Sequence, residues 1–300
     1  MLLLVDAANL YFRAFYALPE SITAPDGRPV NAIRGYLDMT AALIAKRRPT
    51  RHVACLDLDW RPAFRVQAVP SYKAHRVARG GGEDVPASLA RQVPVLLEVL
   101  AAAGLAFTGA DGFEADDVIA TLAARDRAEV EVVSGDRDLL AVATDRVTVL
   151  YTGKGLARMV AMGPAEVLAT YGVPAEHYAD FAMLRGDPSD GLPGVPGVGA
   201  KTAAAIVTRF GTVEDIVAAA ESRLPGFPSG AAAKVLAARN YLSVAPAAVR
   251  GRTDAPVHDV EDALPGTPAD PERLVDLAEE LGIEASVNRL LVAMRDALEG

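Results

Sequence analysis

Leu2-Leu3-Leu4-Val5-Asp6, a short apolar run that ends in an acidic residue, is the stretch that decides the fold. The pattern returns at His52–Leu56 followed by Asp57, and at Val130–Val133 followed by Asp136 and Asp138. A fourth run covers Val147–Leu150, and longer helical stretches separate the four. This alternation predicts an α/β domain over residues 1 to about 160, with a mostly parallel sheet and helices on both faces.

The acids that follow these runs are expected to meet at one edge of the sheet. The carboxyl ends of parallel strands lie side by side, and ligands of open parallel sheets bind just beyond them. Asp6, Asp57 and Asp136 would therefore come together although they are distant in sequence.

Other acids can join this edge, although each cluster has an ordinary explanation when taken alone. Glu114-Ala115-Asp116-Asp117 precedes an apolar helical run, where N-capping and the helix dipole favour acids. The pair at 136 and 138 could be a turn, and Asp187-Pro188-Ser189-Asp190 could be a polar loop. None of the clusters decides the function alone, but their positions in the topology favour a common site.

The predicted site contains nine carboxylates: Asp6, Asp57, Glu114, Asp116, Asp117, Asp136, Asp138, Asp187 and Asp190. Like charges packed together are strongly unfavourable unless cations neutralise them, so we expect a cage for hard divalent ions. Oxygen ligands favour Mg²⁺ or Mn²⁺, and the four histidines are too scattered for a zinc site. Two such ions about 4 Å apart would activate a water for phosphodiester hydrolysis.

A glycine-rich turn follows the last acidic cluster and is suited to binding phosphate. Gly194, Gly197 and Gly199 let backbone N–H groups approach an anion, and Lys201 and Thr202 open a helix. The spacing differs from that of a P-loop, and the preceding stretch is helical rather than a strand. We therefore predict a helix-hairpin-helix that binds a DNA backbone without reading its sequence.

Residues 61–94 are expected to form a mobile segment over the site. This segment is basic, carries two aromatic residues at its start and then breaks into Gly80-Gly81-Gly82.

Composition and charge fit an ordinary globular protein but do not select its ligand. Of 300 residues, 51% are apolar, which is enough for a sizeable core. The net charge of −9 argues against a polyanion as ligand, but setting nine metal ligands aside leaves 30 acids against 30 basic residues. A lone Cys55, no apolar run long enough to span a membrane and no signal peptide indicate a cytoplasmic protein.

The order of these motifs resembles the 5′-nuclease family, in particular the 5′–3′ exonuclease domain of bacterial DNA polymerase I and its free-standing relatives. The matching segments, between residue 1 and about 255, are Leu4-Val5-Asp6, Arg13-Ala14-Phe15-Tyr16-Ala17, Tyr72-Lys73-Ala74-His75-Arg76, Glu114-Ala115-Asp116-Asp117, Gly135-Asp136-Arg137-Asp138, Gly186-Asp187-Pro188-Ser189-Asp190 and the stretch 192–202.

The resemblance implies a PIN-like catalytic domain at 1–163 with a helical arch at about 61–94. It also implies a helical DNA-binding domain at 164–300 with a helix–three-turn–helix at about 180–210. In this second half we predict helices near 164–171, 174–184, 200–209, 213–220, 230–242 and 271–298. The last stretch has no recognisable chemistry, and Leu274, Leu277, Leu281 and Ile283 read as core.

Site roles also follow from the resemblance. One metal group would comprise Asp6, Asp57, Glu114 and Asp116, and the other Asp136, Asp138, Asp187 and Asp190, with Asp117 close to both. Lys73 and Arg76 would contact the scissile phosphate, assisted by Arg13, and Tyr72 would stack on a base. The turn with Gly194, Gly197, Gly199, Lys201 and Thr202 would hold the downstream duplex, with a bound K⁺.

The implied activity is structure-specific 5′–3′ exonuclease or flap endonuclease action in primer removal and repair. The substrates would be DNA with a 5′ flap, nick or 5′ end, including RNA-primed strands. We expect a monomer that cooperates with a DNA polymerase and a ligase. The balance between the two activities, and the choice between Mg²⁺ and Mn²⁺, stay open.

Two positions depart from the family pattern. Asp57 and Asp59 both follow the second strand, and we favour Asp57 because it ends the apolar run directly. Gly191 stands where the family often has Asn, which puts a loop hydrogen bond in doubt but not a metal ligand.

Two other classes of protein compete with this interpretation. Asp57-Leu58-Asp59 and the acidic loop at 187–190 mimic the motifs of a haloacid-dehalogenase-like phosphatase, but that class leaves Asp6, the Glu114 cluster and the glycine turn unexplained. A non-catalytic DNA-binding module would be expected to lack the acids. Hydrolysis of p-nitrophenyl phosphate but not of a labelled 5′-flap duplex would favour the phosphatase.

Overall fold

A single sheet forms the centre of the computed structural model, which describes residues 1–299. Within those residues the strands are β1 (Leu2–Asp6), β2 (Arg51–Cys55), β3 (Ala106–Thr108), β4 (Val130–Ser134), β5 (Val147–Tyr151) and β6 (Val160–Met162). Their order is β3-β2-β1-β4-β5-β6, and all neighbours are parallel except β5 and β6. The predicted mostly parallel α/β sheet is therefore confirmed.

β1 lies in the middle of the sheet and has apolar residues on both faces. Leu2 and Leu4 enter one hydrophobic cluster, whereas Leu3 and Val5 enter a second cluster on the opposite face. A strand buried on both faces reads as a continuous apolar run rather than as an alternating one. The run that opens the chain is apolar throughout for this reason.

Helices cover both faces. In the first half they are α1 (Ala7–Ala17), α2 (Asn31–Arg47), α3 (Ala63–Ala68), α4 (Ala87–Ala103) and α5 (Ala115–Arg125). In the second half they are α6 (Pro164–Tyr171), α7 (Tyr178–Arg185), α8 (Ala200–Phe210), α9 (Val213–Glu221), α10 (Ala231–Ala237), α11 (Arg239–Leu242), α12 (Ala245–Val249), α13 (Pro271–Leu281) and α14 (Glu284–Leu298). No helix within residues 1–299 is long and apolar enough to cross a membrane.

The last two helices return to the first half of the chain. α14 packs along α2 and α13 packs against α4, and Leu274, Leu277, Leu281 and Ile283 are buried in the same cluster as α2. These four residues were predicted as core. Their core belongs to the sheet, however, so the division into 1–163 and 164–300 does not describe α13 and α14.

Several predicted boundaries need correction. The three-residue strands β3 and β6 were missed, as was α12, because such short elements give little periodicity. The helix predicted at 271–298 is two helices, since Gly282 caps α13 with a left-handed φ of +63°. The predicted stretch 174–184 begins as a 3₁₀ turn, and the one at 230–242 is broken between α10 and α11.

The predicted helical arch is helical over only part of residues 61–94. Helical turns cover α3, a 3₁₀ turn at Ala74–Arg76 and the start of α4. Between the last two, residues 77–83 fold into a tight hairpin in which Val77 pairs with Glu83. The glycine run at 80–82 forms the tip of this hairpin, where Gly81 and Gly82 take positive φ values.

Candidate active site and nucleic-acid interface

Asp6 lies where β1 ends and α1 begins. Its carboxylate accepts hydrogen bonds from the Asn9 backbone N–H at 3.0 Å and from the Ser134 hydroxyl at 2.7 Å. The Ser134 hydroxyl in turn accepts from the backbone N–H of Asp136 at 2.9 Å. One serine at the end of β4 therefore links two of the predicted metal ligands.

Asp57 reaches the start of α5. Its carboxylate accepts from the Ala115 N–H at 2.6 Å, whereas Asp59 accepts from the nearby Arg61 N–H at 3.1 Å. Asp57 also lines the cleft described next, which supports the choice of Asp57 over Asp59.

A cleft of about 570 Å³ opens at the carboxyl edge of the sheet. The carboxylates that line it are Asp6, Asp57, Glu83, Glu114, Asp116 and Asp136, and the basic side chains are Arg13, Lys73 and Arg76. Strand ends, one helix start and the arch thus bring together eight of the predicted site residues.

Crowding and burial act on the carboxylates of this cleft. Burial, together with the nearby charges of Asp57 and Asp136, raises the pKa of Asp6 to about 7, against the hydrogen bonds from Ser134 and Asn9. Burial, with the charges of Asp136, Asp6 and Glu114, also holds the pKa of Asp116 well above its usual range. Both effects disfavour the ionised acids and favour any cation that would neutralise them.

A second cavity of about 350 Å³ adjoins the first at Asp116 and is lined also by Asp138 and Asp190. Burial raises the pKa of Asp138 well above its usual range, and the charges of Asp136, Asp190 and Asp187 add to the shift. The two spaces are therefore neighbours that share Asp116, and Asp136, which was predicted in the second metal group, lines the first cleft instead.

Asp117 and Asp187 are tied up in internal contacts. Asp117 is fully buried, pairs with the Arg65 guanidinium at 2.7 Å and accepts from the Arg252 N–H at 2.8 Å. Asp187 pairs with Arg185 at 3.0 Å and accepts from the Ser189 N–H at 2.9 Å. Both acids shape the site, but their carboxylates are bound to protein donors in this conformation.

Two basic side chains of the arch form ion pairs with acids of the site. The Lys73 ammonium pairs with Glu114, and the Arg76 guanidinium lies 3.0 Å from Asp190. Consistent with this pairing, no three His, Cys, Asp or Glu side chains among residues 1–299 form a ready coordination set. In this conformation Glu114 is paired with Lys73 and Arg65, and Asp190 is paired with Arg76.

Tyr72 does not match its predicted stacking role in this conformation. The ring is 4% exposed and its hydroxyl donates to Glu114 at 2.7 Å. Its ring packs beside the guanidinium of Arg65, which also pairs with Glu114. A buried ring cannot stack on a base, so Tyr72 here orients Glu114.

Gly194 allows two turns of the predicted hairpin to meet. It has a φ of +66°, and a Cβ at this position would lie 2.5 Å from the Gly186 nitrogen, so that only glycine fits. Gly194 thereby lets the turn before α8 pack directly against the backbone at the end of α7.

Glycine and basic residues face outward on the rest of the hairpin between α7 and α8. Gly197 is exposed and its carbonyl accepts from the Lys234 ammonium at 2.9 Å. Gly199 precedes α8, with Lys201 exposed and Thr202 half-buried in its first turn. Gly199, Ala200 and Lys201 are all exposed, so a phosphate could approach the start of this helix.

Sequence reasoning missed several residues of the cleft: Asn9, Phe12, Tyr16, Trp60, Glu83 and, beneath the floor, Ser134. Phe12 and Tyr16 stack at 6.4 Å on one side of α1, and Tyr16 is 70% exposed. Their spacing of four residues places them on one helix face, which was a usable signal. Glu83 had no such signal, since the hairpin alone brings it to the cleft.

A mostly parallel sheet with a carboxylate-lined cleft at its carboxyl edge, followed by a glycine-turned helical hairpin, is the arrangement that the resemblance to 5′ nucleases predicts. Family models agree along most of the chain. Residues 1–172 match the 5′–3′ exonuclease N-terminal resolvase-like domain, and residues 173–272 match the 5′–3′ exonuclease C-terminal SAM fold.

Similar proteins point to the same family. A 5′–3′ exonuclease of Mycobacterium tuberculosis is 52% identical over all of this chain and 99% of its own length, and one of Streptomyces coelicolor is 47% identical over 97% and 99%. DNA polymerase I of Mycobacterium tuberculosis is 44% identical over 72% of this chain, but over only 24% of the polymerase.

Solved structures share the fold. A bacteriophage T5 flap endonuclease, solved as a pseudo-enzyme–product complex with DNA and metal ions, has a TM-score of 0.64 at 21% identity and covers 99% of this chain and 98% of its own. The catalytic core of Rad2 with a DNA substrate has a TM-score of 0.62 at 17% identity, covering 97% and 92%.

The chain belongs to the 5′–3′ exonuclease family. It is a hydrolytic 5′–3′ nuclease, as predicted.

Proposed function

We propose that this chain is a divalent-metal-dependent nuclease that removes 5′ ends and incises 5′ flaps of DNA during primer removal and repair. The observation that carries the proposal is the cleft that six carboxylates line together with Lys73 and Arg76 of the arch. Clustered acids with raised pKa values favour hard divalent cations, and the donor set contains oxygen ligands alone. The residues present therefore fit Mg²⁺ or Mn²⁺.

The carboxylates would hold the cations in two adjoining groups. Asp6, Asp57, Glu114, Asp116 and Asp136 serve the cleft, and Asp138 and Asp190 serve the neighbouring cavity. Cations held there would polarise the attacking water and neutralise charge on the leaving oxygen. Asp117 and Asp187 act by holding Arg65, Arg185 and the adjoining loops in place.

The arch would supply the positive charge that grips the scissile phosphate. Lys73 and Arg76 already line the cleft, and Arg13 approaches it from α1. In the DNA complex their side chains would exchange carboxylate partners for phosphate oxygens, which stabilises the charge that develops during hydrolysis.

The hairpin between α7 and α8 would hold the downstream duplex by its backbone. The exposed backbone at Gly197 and Gly199, together with Lys201 and Thr202, favours phosphate without reading bases. Carbonyls of the same turn are candidates for a K⁺ ion. The T5 enzyme and Rad2, which share the fold, are described with DNA, and this supports DNA as the ligand.

A 5′ flap, a nick and a free 5′ end would all present the scissile phosphate to the same cleft. The polymerase I relatives carry the matching region in one chain with a polymerase, which supports cooperation with a DNA polymerase, followed by a ligase, on RNA-primed strands. We propose that the chain acts as a monomer, because the carboxylates and cations described above all come from one copy.

The test is cleavage of 5′-flap, nicked and gapped duplexes labelled at either end, with Mg²⁺, with Mn²⁺ or with EDTA. We expect divalent-ion-dependent products from each substrate, and their lengths will measure the balance between flap incision and exonucleolytic removal. Cleavage that persists in EDTA would contradict the metal requirement. Products that start at the 3′ end would contradict the assigned polarity.

A further inference from the structure

Trp60 is the only tryptophan of the chain, and its side chain lines the carboxylate cleft. It lies in the loop between β2 and α3, three residues after Asp57, which lines the same cleft. The side chain is half-buried, and no aromatic ring within residues 1–299 pairs with it. The part of the indole that lines the cleft is therefore free to meet a flat ligand.

The loop that carries Trp60 is held on both sides of the ring. The Asp59 N–H donates to the Phe113 carbonyl at 3.1 Å, and the Asp59 carboxylate accepts from the Arg61 N–H at 3.1 Å. The Arg61 guanidinium donates to the Tyr72 carbonyl at 2.6 Å. Because both neighbours of Trp60 are anchored and an indole has only two rotatable bonds, stacking on it would cost little conformational entropy.

The other side chains of the cleft indicate what the flat ligand is. Phe12 and Tyr16 also line the cleft but stack on each other, whereas Trp60 has no such partner. The basic side chains there are Arg13, Lys73 and Arg76. Cations that contact phosphates, beside an aromatic face that stacks on bases, are the combination that binds single-stranded nucleic acid. In a duplex the face of each base is covered by its neighbours, so the ligand of Trp60 must be an unpaired base.

We propose that Trp60 stacks on an unpaired base of the 5′ strand, next to the scissile phosphate. The inference rests on the proposed function, because it takes a 5′ strand of DNA as the ligand of the cleft. The resemblance implied stacking by Tyr72, but that ring is 4% exposed and its hydroxyl donates to Glu114. Trp60 lies twelve residues earlier and presents an aromatic side chain to the cleft itself.

The fluorescence of Trp60 tests the contact directly, because no other tryptophan contributes to the emission. A 5′-flap duplex is titrated into the full chain carrying Asp136→Ala, with Mg²⁺ present, so that the flap is bound but cut slowly. We expect the flap to quench the emission. A flap with abasic sites in place of the nucleotides on either side of the scissile phosphate should quench it much less.

Variants of Trp60 separate stacking from simple packing. In the same Asp136→Ala background, Trp60→Leu keeps an apolar side chain without an aromatic face, and we expect the Kd for the flap duplex to rise about fivefold or more. Trp60→Phe keeps an aromatic face and should stay within about twofold of the parent. The control is Leu58→Ala, which removes a 52% exposed side chain of the same loop that does not line the cleft, and its Kd should be unchanged.

A combination of the two changes shows whether the base and Trp60 act together. The abasic sites should raise the Kd of the parent but cause no further rise in Trp60→Leu, since the stack is already lost. Unchanged emission on flap binding would overturn the inference. So would an equal effect of the abasic sites in the parent and in Trp60→Leu.

Failure of the proposed function would look different. If the wild type neither bound nor cleaved flap DNA, the proposed function would be wrong, and the inference would fall with it. If the wild type cleaved flap DNA in a metal-dependent way while Trp60→Leu bound the flap as tightly as the parent, only the inference would be wrong.

Discussion

Asp57 and Asp59 are two residues apart in sequence, yet the fold gives them different environments. Asp57 accepts from the start of α5 and lines the cleft, and Asp59 caps its own turn through Arg61. The sequence alone could favour Asp57 because it ends the apolar run. The distinction depends on α5, which is supplied by residues nearly 60 positions further along.

Asp136 offers a direct test of the carboxylate site. We expect Asp136→Ala to slow cleavage at least about 100-fold, because several kcal/mol of charge stabilisation in the transition state would be lost. Binding of flap DNA should remain largely intact, since in the proposed complex the phosphate contacts would come from the arch and the hairpin. Single-turnover kinetics and a binding titration measure the two effects.

The control for this variant is Asp145→Ala, which removes the same side chain from an exposed turn. It should cleave at the wild-type rate. Full activity in Asp136→Ala would remove Asp136 from the proposed site.

His52 predicts how stability depends on pH. The ring is buried with both nitrogens unpaired, and burial lowers its pKa from 6.5 to about 4. Because the unfolded chain binds a proton more readily, the stability is fully present above pH 6.5 and is lost as the pH falls towards 4. The loss should be about 3 kcal/mol at most.

We expect His52→Leu to remove this part of the acid sensitivity. Urea unfolding at pH 7 and pH 5 would show a smaller fall in the free energy of unfolding than in the wild type. His258→Asn, at an exposed position, should follow the wild type. An unchanged pH dependence in His52→Leu would contradict the assignment.

At the scale of elements, α13 and α14 stabilise the catalytic half rather than the DNA-binding half. α14 lies along α2, which packs against α1, and α1 carries Arg13 and the stacked pair of Phe12 and Tyr16. The C-terminal family model ends at residue 272, just after α13 begins, so most of both helices lies outside it. These helices cover one face of the sheet, and none of their residues lines the cleft.

Leu290 tests this role. Its side chain is fully buried in α14, and we expect Leu290→Ala to lower the free energy of unfolding by about 2–5 kcal/mol. The neighbouring Val292→Ala, at a position that is 37% exposed, should cost far less. Cleavage measured well below the unfolding temperature should be unchanged in both. A loss of cleavage in folded Leu290→Ala would mean that α14 acts on the site.

At the scale of the whole molecule, the acids that the proposed activity needs also lower the stability of the fold. Asp6, Asp57, Asp116 and Asp136 face one cleft, and their mutual repulsion must be offset by protons, by Lys73 or by bound cations. Arg65 is buried between Glu114 and Asp117, and its loss would leave the buried Asp117 without an ion-pair partner and Glu114 with Lys73 alone.

Divalent ions should therefore stabilise the whole chain. We expect saturating Mn²⁺ or Mg²⁺ to raise the unfolding midpoint of the wild type by roughly 5 °C, because ions that bind the folded state alone shift unfolding by mass action. Asp116→Asn should be more stable than the wild type in EDTA, gain less from the metal and fail to cleave. Equal metal-induced shifts in both proteins, read by calorimetry, would contradict the site.

The sequence by itself determined the parallel sheet, the acids at its carboxyl edge and the glycine hairpin. These features can be read from sequence because each is imposed on a short stretch of chain. A strand that is buried on both faces must be apolar throughout, and Gly194 must lack a side chain because two turns touch there. The order of the motifs then identified the family.

Only the tertiary structure decided which acids share a cleft, that Asp117 and Tyr72 are turned inward, and that α13 and α14 belong to the sheet. It also showed that Gly191 lies against the backbone of Ser71, which is 120 positions earlier in the chain. These outcomes depend on contacts between segments distant in sequence. Neither periodicity nor spacing records them, because both describe a residue's neighbours along the chain and not its neighbours in space.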